Sequence, residues 1–179
     1  MAMAVANRYA RALSEVVAPA GNYRAVLADL ENFLAAYQES RDLRDVMETP
    51  AVSLVQKVKV LEAILARIGA AEVSVNFLRV LVTNYRIGIL GEICTAFLKI
   101  ANERLGVVQV RVFSAATLSD AERQALRTHF EELTRKKVEM EFRMDGGLLG
   151  GILAQIESTV YDGSVRGQLQ QLREQLTRK

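Results

Sequence analysis

The spacing of apolar residues changes at Gly106, and this change constrains the fold more than any other feature of the sequence. Before Gly106, apolar residues recur every three or four positions, which is the period of amphipathic helices. After it, Val108 and Val110 alternate with polar residues, which is the period of a half-buried strand. The sequence therefore predicts an α+β protein in two parts, a helical part over 1–106 and a small mixed part over 107–179.

Six amphipathic helices are predicted within 1–106, with short connections that favour an antiparallel six-helix bundle. The segment Pro19-Ala20-Gly21 ends the first helix, because proline and glycine break the helical backbone. A capping box of Ser53 and Gln56 begins the fourth helix. The apolar residues predicted to share one face of the first helix are Val5, Tyr9, Leu13 and Val16.

The remaining residues predict the order β-α-β-β-α, a small sheet covered by helices. A second capping box, Ser119 with Glu122, begins the internal helix, whose predicted buried residues are Leu126, Phe130 and Leu133. The glycine-rich segment 146–151 is expected to be a turn between strands. Asp162-Gly163-Ser164 is expected to turn the chain into the last helix, with Asp162 or Ser164 as its cap. That helix would bury Val165, Leu169, Leu172 and Leu176.

Composition is typical of a folded protein that does not bind nucleic acid. Half of the residues are hydrophobic and a quarter are charged, so the chain can bury a core. The net charge is only +2 and is shared evenly between the two parts, whereas nucleic-acid binding usually needs a basic face. The cluster Arg135-Lys136-Lys137 is too short to argue for such a face.

No group of residues predicts catalysis, a metal site or a cofactor. Gly146 and Gly151 have the spacing of a phosphate-binding loop, but Ile152-Leu153 stands where lysine and serine or threonine are required. His129 is the only histidine and lacks partners for a zinc site. Cys94 has apolar neighbours and is expected to be a buried, unreactive thiol. We therefore expect a binding protein and not an enzyme.

The sequence also predicts no direct insertion into a membrane. No stretch reaches the roughly 18 apolar residues that a spanning helix needs. Arg8 and Arg11 interrupt the start of the chain, so no signal peptide is expected.

Four segments resemble the delta subunit family of F-type ATP synthases, whose mitochondrial relative is the oligomycin-sensitivity-conferring protein. They are Ala6-x-x-Tyr9-Ala10-x-Ala12-Leu13, Asn76-Phe77-Leu78-x-x-Leu81-x-x-Asn84-x-Arg86, Leu149-Gly150-Gly151, and Asp162-Gly163-Ser164-Val165-Arg166-Gly167-Gln168-Leu169. Two positions depart from the family pattern. Gly146 stands where the family often has proline, and Glu157-Ser158 stands where a glycine is common.

The resemblance implies a stator protein that links the catalytic head of ATP synthase to its peripheral stalk. The N-terminal domain, 1–106, would bind the N-terminal helices of alpha subunits, and the C-terminal domain, 107–179, would bind the C-terminal region of the b subunit. The link would stop the alpha/beta hexamer from turning with the rotor, so that proton or ion flow drives ATP synthesis. The chain would lie at the cytoplasmic face of the inner membrane as a peripheral part of the complex, without catalysis or cofactor.

The resemblance also suggests which residues bind partners. We hypothesise that the first and fifth helices form a groove for a helix of the alpha subunit, with Tyr9 as a rigid anchor. On this hypothesis, Leu13→Asp weakens head binding and leaves the chain folded. The groove residues are Ala6, Tyr9, Ala10, Leu13, Phe77 and Leu81. The C-terminal motif, structural or stalk-binding, comprises Gly150, Gly151, Asp162, Ser164, Arg166 and Leu169.

Two alternatives stay open at this point. One is a helical RNA- or protein-binding adaptor unrelated to ATP synthase, against which the balanced charge argues only in part. The other is an enzyme that uses backbone groups of the glycine loop, which no sequence feature supports.

Overall fold

The computed structural model of this chain describes residues 2–156 and 159–167. The chain divides into two compact units, Met1–Ala101 and Asn102–Lys179. The division therefore comes a little before Gly106, where the hydrophobic period changes. Of the predicted last helix, the structure describes only helical residues 165–167, so Leu169, Leu172 and Leu176 lie outside the described residues.

Within the described residues, six α-helices precede the first strand, in agreement with the helical period of the sequence. A capping box between Ser53 and Gln56 begins the fourth helix, as predicted, and Gly69 ends it in the left-handed conformation at φ 71°. A short 3₁₀ turn over Ile87–Ile89 precedes the sixth helix. The helices are α1 (Ala2–Val17), α2 (Tyr23–Glu39), α3 (Arg41–Glu48), α4 (Leu54–Ile68), α5 (Glu72–Thr83) and α6 (Leu90–Leu105).

The core of the N-terminal unit collects apolar side chains from all six helices. Helix α2 is central, because it packs against α1, α3, α4 and α5. A lysine is buried beside this core: Lys57 is 1% exposed, and its Nζ donates to the Met47 carbonyl at 2.8 Å. The ammonium also lies 5.4 Å from the centre of the Tyr85 ring. Lys57 thus places a positive charge at the C-terminal end of α3, where helix carbonyls lack partners.

The C-terminal unit is built on a four-stranded mixed sheet with the order β2-β1-β3-β4. Strands β1 and β2 are parallel and are joined through α7, whereas β3 pairs antiparallel with both β1 and β4. The elements are β1 (Val107–Ser114), α7 (Asp120–Thr134), β2 (Lys137–Met144), β3 (Gly151–Ile156) and β4 (Thr159–Ser164).

Strand β4 was not predicted, and this corrects the β-α-β-β-α order. Asp162-Gly163-Ser164 forms the end of β4 and not a turn. Turn-forming residues occupy a strand here because backbone pairing with β3 outweighs their local preference. Ser164 is nevertheless the cap of the helical residues that follow, as one of the two predicted alternatives stated.

One face of the sheet packs against α7 and forms the second core. The apolar side chains buried in it are Val110, Val112, Phe130, Val138 and Ala154. The capping box of Ser119 and Glu122 begins α7, as predicted. Leu133 was predicted to be buried and is instead 50% exposed, because the helix turns it away from the sheet.

Candidate interaction surfaces

Two of the predicted groove residues, Tyr9 and Phe77, meet where α1 packs against α5. The rings of Tyr9 on α1 and Phe77 on α5 meet edge to face, with their centres 6.5 Å apart and their planes at 72°. Both residues are half-buried and border the core of the N-terminal unit. Aromatic pairs of this geometry fix the relative position of two helices and still leave part of each ring accessible.

The other four groove residues are buried in the core. Ala6, Ala10 and Leu81 are 0% exposed, and Leu13 is 2% exposed. A partner cannot touch these side chains in this structure, so their effect on binding would be indirect, through the spacing of α1 and α5. The expectation that Leu13→Asp leaves the chain folded is corrected, because a carboxylate at a fully buried leucine loses its solvation.

Two exposed valines lie on the same helices as the aromatic pair, one on α1 and one on α5. Val16 follows Tyr9 by two helical turns and is 62% exposed, while Val80 follows Phe77 by one turn and is 47% exposed. Val16 was predicted to share the buried face of α1. Val16 lies seven positions after Tyr9, so the two side chains share one side of α1. The next residue, Val17, faces the core and is buried. We call Tyr9, Val16, Phe77 and Val80 the α1–α5 edge.

One face of α1 is open and carries the small residues Ala4 and Ala12 together with Arg8, Arg11 and Glu15. Small residues let the backbone of a partner approach closely. This face of α1 therefore combines small side chains with charged ones.

Gly151 of the C-terminal motif is required by the close approach of β3 to β4. Gly151 has φ +78°, and a Cβ atom on it would lie 2.4 Å from the Gly163 carbonyl oxygen. A Cβ on Gly150 would lie 3.1 Å from Cγ2 of Val165. Gly151 thus serves backbone packing, whereas Gly150 leaves room for the Val165 side chain.

Asp162 and Ser164 organise the start of the last described helical residues. The Ser164 N–H donates to Asp162 Oδ1 at 2.9 Å, and Ser164 Oγ accepts from the Gly167 N–H at 3.1 Å. Hydrogen bonds from the Ser164 hydroxyl and backbone hold the pKa of Asp162 below its ordinary value. Arg166 is exposed, and Leu169 lies outside the described residues.

Side chains that could hold a metal ion do not cluster among the described residues. Among the described residues, no group of three or more histidine, cysteine, aspartate or glutamate side chains is placed to hold a metal ion. His129 is exposed and its ring contacts Phe130. No described helix is long and apolar enough to cross a membrane.

Known proteins match this chain along almost its whole length. The family model described as the ATP synthase delta (OSCP) subunit matches residues 5–176. The ATP synthase subunit delta of Acidobacterium capsulatum is 40% identical over 174 residues, which cover 97% of each chain. That of Myxococcus xanthus is 37% identical and covers 99% of this chain and 98% of the relative.

The fold is also shared with a solved assembly. A chain in the cryo-EM structure of the Toxoplasma gondii mitochondrial ATP synthase hexamer matches with a TM-score of 0.69 and 23% identity, covering 96% of this chain and 97% of that one. At this identity the likeness concerns the fold alone. The family match and the full-length relatives show that the chain belongs to the ATP synthase delta (OSCP) subunit family.

Proposed function

We propose that this chain is the non-catalytic connector between the alpha/beta catalytic head of an ATP synthase and the stalk formed by its b subunit. Family membership makes the chain an ATP synthase subunit. A connector must hold two partners at once, and two compact units in one chain supply two binding bodies. By holding the head still against the rotor, it lets ion flow drive ATP synthesis on the cytoplasmic face of the inner membrane.

The head contact is assigned to the N-terminal unit, whose helices we take to form an antiparallel six-helix bundle. The α1–α5 edge is the observation that carries this assignment. An amphipathic helix binds by placing apolar side chains of one face against a groove between two helices. The half-buried rings of Tyr9 and Phe77, flanked by the exposed Val16 and Val80, offer such a surface to the N-terminal helix of an alpha subunit.

The stalk contact is assigned to the C-terminal unit, beside the glycine motif of β3 and β4. Three large apolar side chains near this motif are well exposed: Leu149 at 73%, Val160 at 53% and Val165 at 42%. Gly151, Asp162 and Ser164 shape the backbone that presents them. The partner that the proposal places there is the C-terminal region of the b subunit, with Arg166 and Leu169 as further candidates for the contact.

Calorimetric titration of the full chain with a peptide from the N-terminus of the alpha subunit tests the head contact. We expect saturable one-to-one binding that weakens roughly tenfold or more in the double variant Val16→Asp, Val80→Asp, because central apolar anchors dominate such interfaces. Both valines are exposed, so the variant keeps its core. The control is Val55→Asp on α4, which adds a single carboxylate at a valine that is 66% exposed and does not belong to the α1–α5 edge.

Three results would count against the proposal. Equal binding by the double variant would remove the α1–α5 edge from the head contact. Equal weakening by Val55→Asp would mean that added charge alone lowers affinity. Absence of peptide binding by the folded chain would remove the N-terminal unit from the contact with the isolated alpha-subunit segment.

A further inference from the structure

An open depression of about 570 Å³ lies in the C-terminal unit, at the end of α7. Its lining comes from α7, β1 and β2, and from Arg135 and Lys136 in the short connection between α7 and β2. Val107 and the buried Val138 contribute apolar surface to it. Exposed cationic side chains dominate the rest: Arg127, Arg135, Lys136 and Lys137.

These four cations have no partner within the part of the chain that the structure describes. Ion pairs there join other residues, and none of the four side chains takes part in a hydrogen bond or ion pair. Two carboxylates, Glu131 and Glu139, also line the depression. Glu131 Oε1 accepts from the backbone N–H of Val138 at 3.5 Å, so this carboxylate faces the backbone.

The end of a helix does not account for this excess of positive charge. A helix C-terminus is equivalent to about half a negative charge, and basic residues often balance it. Four cations against two carboxylates leave two positive charges in excess. The depression therefore keeps a positive potential after the helix dipole is balanced.

We propose that this depression is a docking site for an acidic peptide segment of a partner protein. An open surface that combines apolar area with four cations unpaired among the described residues fits side-chain carboxylates that extend from a short segment. Nucleic acid fits less well, because among the described lining residues none is aromatic and could stack on a base. The inference stands on these charges and this shape, and does not depend on the proposed stalk contact.

Fluorescence anisotropy of the full chain with a labelled peptide rich in glutamate and leucine tests the proposal. We expect binding that weakens as salt screens the charges, and no comparable binding of the same peptide with glutamine in place of glutamate. The triple variant Arg127→Gln, Lys136→Gln, Lys137→Gln is expected to bind the acidic peptide roughly tenfold more weakly, as three exposed charge contacts are lost. Arg135 is left unchanged because its backbone has the left-handed conformation, at φ 53°, that ends α7.

The matched control removes the same charge elsewhere. Lys59→Gln, Arg67→Gln, Lys99→Gln neutralises three exposed cations of the N-terminal unit, and we expect it to bind the peptide normally. Equal weakening in this control would show a net-charge effect and overturn the site. Equal binding of the glutamine peptide would also overturn the site. Tighter binding of a single-stranded oligonucleotide, lost in the first triple variant, would replace the acidic peptide with nucleic acid as the occupant.

Discussion

At the residue scale, Gly151 carries the tightest steric constraint of the C-terminal motif. Its left-handed backbone at φ +78° and the backbone of β4 leave no room for a Cβ atom. Gly146, in the preceding turn, has nothing within 4 Å of such an atom. Gly146 and Gly151 thus have different roles, and only Gly151 is sterically required.

Gly151→Ala is therefore expected to lower the free energy of unfolding of the C-terminal unit by about 2–4 kcal/mol, from backbone strain and from the clash with β4. Gly146→Ala is the control, expected to be neutral or slightly stabilising because it restricts only the unfolded chain. Urea unfolding followed by circular dichroism compares the two. Equal stability of both variants would contradict the steric argument.

Cys94 is a residue whose chemistry is suppressed by its surroundings. Burial first, and the nearby charge of Glu31 second, raise its pKa from 9.0 to about 12. The folded chain therefore favours the protonated thiol. This contribution to stability is complete below pH 9 and is lost as the pH rises toward 12.

At pH 8, Cys94 of the folded chain is expected to react with an aromatic disulfide reagent far more slowly than the unfolded thiol, since the shift reduces the thiolate roughly a thousandfold. The rate is measured by absorbance in buffer and in guanidinium chloride. Rapid reaction of the folded chain would show that the thiol is accessible and ionised.

At the element scale, α5 begins with a cap supplied by another helix. Its own cap position is Ala71, whose side chain offers no hydrogen bond. Asp29 of α2 takes that place: its Oδ2 accepts from the Ala71 N–H at 2.9 Å and from Ser74 Oγ at 2.6 Å. The carboxylate also lies at the positive end of the helix dipole. The start of α5, and with it Phe77, is thus positioned by α2.

Asp29→Ala is expected to cost about 1–3 kcal/mol of unfolding free energy, because it leaves the buried Ser74 hydroxyl and a helix N–H without a partner. Ser74→Ala in the same chain should reduce that cost, which a double-mutant cycle measures. Asp45→Ala is the control, since its pair with Arg41 is exposed and 4.0 Å long. A cost no larger than that of the control would exclude the capping role.

At the scale of the whole molecule, the two units have cores of very different size. The N-terminal core takes buried side chains from all six helices, whereas the C-terminal core has five described buried apolar residues. Small cores gain little free energy from burial and are easily perturbed. The division is compatible with the proposed connector, in which the helical unit would carry the head contact and the smaller unit the stalk contact.

The sequence alone determined the helix and strand periods, both capping boxes and the family. These depend on neighbours within a few positions, so local patterns and segment resemblance are sufficient to find them. The predicted glycine turn belongs to the same class, whereas the choice of Ser164 over Asp162 as the cap came from the structure.

Only the tertiary structure decided which residues reach the surface and which segment forms the edge strand. Leu13 and Val16 both belong to the apolar stripe of α1, yet the packing of α1 buries the first and exposes the second. Strand β4 exists because β3 pairs with it, against the turn preference of Asp162 and Gly163. Burial and pairing join residues far apart in the sequence, and one local pattern is compatible with several such arrangements.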